Sequence, residues 1–177
     1  YIVASRAGFK ELYLGVVPVS LMWISVAMAF IYLWVSAVLA PPRFTLVDPL
    51  MLVVGAATLI AVLLAYGLIL GGTMISSGVS GPVVELVSFV LPLASGALAP
   101  LRRMPEPIRV MALATPFSYP SELLRYSLLG VQPVLDPSTT ALIAVLYAVA
   151  FFIGSAIYFR AQVRNMLREG VKTASMW

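Results

Sequence analysis

Three stretches of this chain, residues 12–40, 49–77 and 137–159, contain no Asp, Glu, Lys or Arg. Each is long enough to cross a hydrocarbon core of roughly 30 Å, which takes about 20 apolar residues as a helix. In lipid every backbone N–H and C=O needs a partner inside the protein, and a continuous apolar run finds one as an α-helix. These runs predict an all-α integral membrane protein. The composition agrees, with 62% hydrophobic and 10% charged residues, where soluble domains carry roughly 25% charged residues. A fourth run, 82–101, holds Glu85 near its start and Pro92 near its middle, and is expected as a further span. Between the runs lie turn-forming segments: "APPRFTLVDP" at 40–49, "GGTMISSGVSGP" at 71–82 and "QPVLDPS" at 132–138. Such short connections imply antiparallel neighbours.

Several chemistries are excluded by what is missing. The chain has no Cys and no His, so disulfides, thiol nucleophiles, imidazole bases and nearly all transition-metal sites are ruled out, and no metal site is expected. Ser and Tyr without either partner leave little for a hydrolase, and the chain is not expected to be an enzyme. The net charge of +4 comes from basic residues scattered through an apolar chain. They build no basic face, and no nucleic-acid partner is expected.

The second run offers a packing face. At 100° per residue Gly67, Gly71, Ala57, Ala61 and Ala65 fall in a sector roughly 160° wide. Gly67 and Gly71 have the small-xxx-small spacing that lets helix backbones approach. After the last run, Arg160, Arg164, Arg168 and Lys172 recur every four residues beside Val163, Leu167 and Val171. Positive residues flanking a span favour the cytoplasm. With four spans the amino end is then also cytoplasmic. Six basic residues (Arg6, Lys10, Arg160, Arg164, Arg168, Lys172) lie at the inner ends, against five outside (Arg43, Arg102, Arg103, Arg109, Arg125).

Residues 102–136 are too polar to span and too apolar for an ordinary loop. Pro105, Pro107, Pro116 and Pro120 cut the segment into short pieces. A helix through Pro116 and Pro120 into "FSYPSELLRYSLLG" (117–130) is possible only with both prolines in the first turn, and Gly130 suits the left-handed position after the last. On that helix Glu122 and Arg125 are three apart and can pair. Such a piece either dips into the membrane under protein cover or lies flat at the interface with Tyr119 and Tyr126 as belt aromatics.

The stretch "FVLPLASGALAPLRRMPEPIRVMALATPFSYPSELLRYSLLG" (89–130) resembles the carboxy-terminal part of the type-2 ABC-transporter permease family. The matching positions are Ser95, Gly96 and Pro100, then Met104 and Pro105, then Pro116, Tyr119, Glu122 and Arg125, with Thr115 where the family usually has Asn. "RAGFKELYLGVVPVS" (6–20) is similar to the family's coupling-helix pattern, held by Glu11, Pro18 and Ser20, while Phe9 and Lys10 replace the usual Thr-Leu.

The resemblance implies one transmembrane domain over 1–177: a cytoplasmic coupling helix at 1–18, spans at 19–40, 49–77, 82–101 and 137–159, an extracellular re-entrant hairpin at 102–136, and a cytoplasmic tail at 160–177. The first two spans of the full protein would precede residue 1, and the location would be the plasma membrane with both ends cytoplasmic. It further implies that Phe9, Lys10, Glu11, Leu12 and Tyr13 meet an ATPase subunit, and that Pro116, Tyr119, Glu122 and Arg125 form the re-entrant gate.

A P-loop requires a Gly-Lys pair. The two lysines, Lys10 and Lys172, follow Phe9 and Val171, so this chain has no such loop and no cofactor of its own. ATP and Mg would sit on the partner ATPase. The other expected partners are a second permease copy or a homologous subunit, and membrane lipid. An ion-coupled carrier and a non-transporting assembly subunit remain as alternatives.

Overall fold

A computed structural model describes residues 9–38, 44–77, 85 and 99–169. The described residues form helices, turns and short extended links, without a strand among them. The helices are α1 (Phe9–Val38), α2 (Pro49–Ser77), α3 (Glu106–Leu113), α4 (Ser118–Leu129) and α5 (Pro137–Glu169), with a 3-10 turn at Leu101–Arg103. Packing divides the chain into two compact units, Tyr1–Arg43 and Phe44–Trp177, where a single domain is expected from the sequence.

In the first unit α1 is one continuous helix with Pro18 inside it. The expected boundary at residue 18 between coupling helix and span is a change of composition, since the apolar window runs from Pro18 to Val38, and not a break in the helix. A proline removes one donor and crowds the preceding turn, which a long helix can absorb as a bend. Phe9, Lys10, Glu11, Leu12 and Tyr13 form its first turns.

In the second unit α2 and α5 lie side by side. Val62 and Ala148 share one buried cluster, and a Cβ on Gly72 would meet Tyr158 at 3.1 Å. The differences 148 − 62 and 158 − 72 are both 86, and a constant offset means that the two helices run parallel. Short connections led the sequence reading to antiparallel neighbours, but α2 and α5 are not consecutive in the chain. Each starts with Asp-Pro. Asp48 Oδ1 accepts the N–H groups of Leu50 and Met51 at 2.9 and 3.1 Å, and Asp136 Oδ2 accepts that of Ser138 at 3.1 Å. An N-cap carboxylate followed by proline at the first helical position satisfies donors that the helix cannot.

Three helices among the described residues are long and apolar enough to cross a membrane, with windows Pro18–Val38, Pro49–Met74 and Pro137–Arg168. Of the expected fourth span, residues 82–84 and 86–98 lie outside the described residues. α5 continues past 159 to Glu169, so the tail begins as an extension of the last span.

The small-residue face of α2 divides. Gly67 is exposed, and a Cβ there would meet nothing within 4 Å, while one on Gly71 would touch Phe159 at 3.7 Å. The tight approaches are at Gly55 and Gly72. The packing expected of Gly67 is therefore absent among the described residues, because it stands nine residues from buried Thr58, half a turn off the face that meets α5.

Candidate functional site

Four of the described prolines between α2 and α5 mark starts. Pro100 precedes the 3-10 turn, Pro105 and Pro107 open α3, and Pro120 sits in the first turn of α4, where its missing N–H would have had no helical partner. At the other end Gly130 has φ 68° and donates its N–H to the Tyr126 carbonyl at 2.9 Å. This left-handed residue ends the helix, as expected from the sequence.

α4 lies against α2 and α5 and runs opposite to both. Phe117, just before its start, packs with Val62 and Ala148 and meets the Tyr66 ring edge-on, with centroids 5.7 Å apart. Tyr119 faces Tyr147 at 5.5 Å. Leu123 is fully buried with Ala144, and a Cβ on Gly55 would stand 3.1 Å from Leu123 Cβ. Near its end, Ser127 and Leu128 offer carbonyls to the N–H groups of Val47 and Thr45, both at 2.9 Å. α4 thus begins about 16–20 Å along the neighbouring helices, at 1.5 Å per residue, and finishes beside their first turns.

The polar residues of α4 are on its buried side. Half of its twelve residues are buried, Ser118, Tyr119, Pro120, Glu122, Leu123 and Ser127, whereas Leu129 is exposed. Lipid contact inverts the usual inside-outside rule: Leu can face hydrocarbon, but a carboxylate needs protein around it. Glu122, only 5% exposed, accepts the Val134 N–H at 2.8 Å. This bond fastens the extended link before α5 onto α4.

Arg125 lies on the next turn. It is half-buried one turn from Glu122, and Tyr119 is buried one turn before Glu122 on the same helix. Three of the four expected gate residues, Tyr119, Glu122 and Arg125, thus share one environment. Pro116 stands apart, lining an open apolar groove of 710 Å³ with Ile69, Tyr147, Phe151, Gly154 and Ser155.

The turn joining α3 to α4 closes on itself. Thr115 Oγ1 donates to the Ala112 carbonyl at 2.8 Å and lies 2.9 Å from Ser118 Oγ. Ser118 Oγ also donates to Ala112 O, and the Thr115 and Ala114 N–H groups bond back into α3. Thr115, in the family's Asn position, therefore acts through its hydroxyl on the turn. One polar atom nearby stands apart: the Tyr66 hydroxyl is buried without a hydrogen-bond partner among the described residues.

Sequence reasoning did not single out Gly55, Phe117, Ser118 or the Thr45–Val47 link. The Asp-Pro pairs at 48–49 and 136–137 could have been found as helix starts, since both residue types prefer those positions. Among the described residues no group of acidic residues is placed to hold a metal.

The family model described as ABC-2 type transporter matches residues 11–129. The chain belongs to that family. No curated protein and no solved structure is significantly similar to it. As an ABC-2 membrane domain the chain is a permease component of an ABC transporter, a multi-pass membrane protein that associates with an ABC ATPase subunit. α4 falls inside the matched region, and the whole of α5 falls outside it.

Proposed function

We propose that this ABC-2 permease forms the translocation path of an ATP-driven exporter, together with a second copy or a homologous subunit, while a separate subunit binds ATP and Mg and hydrolyses the nucleotide. The family match over residues 11–129 carries this reading. The first turns of α1, Phe9 to Tyr13, dock on the ATPase at the cytoplasmic face. Residues 82–101 form a fourth span between α2 and α3, and both chain ends are cytoplasmic.

Residues 102–136 form a re-entrant hairpin entering from the outer face, with Pro116, Tyr119, Glu122 and Arg125 as its gate. The support is geometric. α2 and α5 are parallel, so a return crossing between them brings the chain back to the end where both begin. The turn at Phe117 packs at mid-length on both helices. Neither α2 nor residues 137–159 of α5 contain Asp, Glu, Lys or Arg, which argues against proton or sodium coupling through these spans.

The native absence of cysteine makes labelling a direct test. In right-side-out vesicles holding the whole transporter, Lys10→Cys should react only after permeabilisation, and Arg109→Cys should react from outside. ATP hydrolysis should require the co-purified ATPase subunit. External labelling of Lys10→Cys, or ATP hydrolysis by the isolated permease, would overturn the reading.

A further inference from the structure

The outward face of α5 changes character along its length. Leu146, Val149, Ile153 and Ile157 are exposed, and Arg160, Arg164 and Arg168 continue the same face and are also exposed. At 100° per residue these positions fall in a sector about 100° wide. The opposite face is occupied at this level. Tyr158 and Gln162 lie against Gly72, and the Tyr158 hydroxyl is 3.2 Å from Thr73 Oγ1. The arginines are therefore held away from α2, on the exposed side of α5.

Depth is set by the rise of the helix. From Pro137 to Arg160 a helix climbs about 35 Å at 1.5 Å per residue, slightly more than a hydrocarbon core of roughly 30 Å. Arg160 thus emerges at headgroup depth, and Arg164 lies one turn beyond on the same side. Side chains four apart on a helix are neighbours, and guanidinium groups bind phosphate oxygens through paired N–H donors.

We infer that this face binds an anionic phospholipid, with acyl chains along Leu146, Val149, Ile153 and Ile157 and the phosphate held between Arg160 and Arg164. Arg168 adds attraction to the charged leaflet. The choice of a net-negative headgroup follows from charge: a choline headgroup neutralises its own phosphate, whereas a glycerol headgroup leaves it uncompensated. The inference rests on α5 spanning the membrane and not on the ATPase docking proposed above, so lipid binding and ATPase co-purification fail separately.

The test is native mass spectrometry of the intact transporter in detergent, titrated with phosphatidylglycerol or phosphatidylcholine. Phosphatidylglycerol should bind more tightly than phosphatidylcholine. R160Q/R164Q should weaken it by roughly fivefold per arginine, about 25-fold in all. R160K/R164K, which keeps the charge but loses the paired donors, should bind more tightly than R160Q/R164Q and less tightly than the wild type, and guards against a general loss of structure. R102Q/R103Q, far from this face in sequence and on exposed residues, should match the wild type. Four results would overturn the inference: R160Q/R164Q binding within twofold of wild type, equal affinity for phosphatidylcholine, full competition by inorganic phosphate, or loss of the ATPase subunit by R160Q/R164Q with lipid binding intact. The last would make the stripe a protein contact.

Discussion

Glu122→Ala removes the acceptor of the Val134 N–H at 2.8 Å and empties a site where the side chain is only 5% exposed. A hydrogen bond to a charged group contributes about 1.5–3 kcal/mol, and a buried donor left without a partner adds its own desolvation cost. Arg125, which feels the Glu122 charge one turn away, would also lose a neighbouring countercharge. The sum is about 2–4 kcal/mol, at least a 30-fold shift in the unfolding equilibrium. Unfolding of the detergent-solubilised transporter by titrated denaturant measures it, and hydrogen exchange across residues 131–136 gives the local readout. The Val134 amide should lose protection in Glu122→Ala and keep part of it in Glu122→Gln, whose amide oxygen can still accept. A Glu122→Ala protein within about 0.5 kcal/mol of wild type, the scatter of ordinary surface substitutions, with Val134 still protected, would refute the argument.

Four further outcomes follow from the surroundings of named positions. Gly55→Leu drives a side chain into Leu123 and Leu124, whose atoms already stand 3.1–3.3 Å from a Cβ there, and should cost about 1–3 kcal/mol by thermal unfolding; Gly67→Ala, with open space around it, should be neutral or stabilising, by up to ~1 kcal/mol. Tyr66→Phe deletes a buried hydroxyl that lacks a partner among the described residues and should leave melting unchanged or raise it, whereas a loss above about 1 kcal/mol would reveal a bond made in the assembled transporter. Asp136→Ala removes the α5 cap and should destabilise by about 1 kcal/mol, with Asp136→Asn close to wild type in the same melt.

Three of the expected spans were legible because lipid leaves a long apolar run no alternative to a helix. The α4 boundaries were legible because Pro120 and Gly130 each fit one end of a helix and not the other. What stayed hidden was partner choice. Gly55, Gly67, Gly71 and Gly72 look alike in sequence, but only the rotation of α2 against α4 and α5 decides which of them meets a neighbour. The hydrogen bond between Glu122 and Val134, twelve residues on, was equally hidden, because it depends on the link after Gly130 folding back along α4. Local spacing sees the next turn of a helix and cannot see a returning strand of backbone.

The two ends of α4 are held by different kinds of force. Beside the first turns of α2 and α5, directional bonds fix it: Thr45 and Val47 donate to its last carbonyls, and Glu122 fastens the following link. At the Phe117 end the turn satisfies its own polar groups through Thr115 and Ser118, and Pro116 has no N–H to satisfy. What remains there is ring and aliphatic contact with Val62, Tyr66 and Ala148, which is non-directional and survives small sliding. Irregular backbone at membrane depth is tolerated only where its polar groups are covered, and this turn carries its cover with it. α4 is therefore tied by directional bonds at its Gly130 end, through Thr45, Val47 and Val134, and by non-directional contact alone at its Phe117 end.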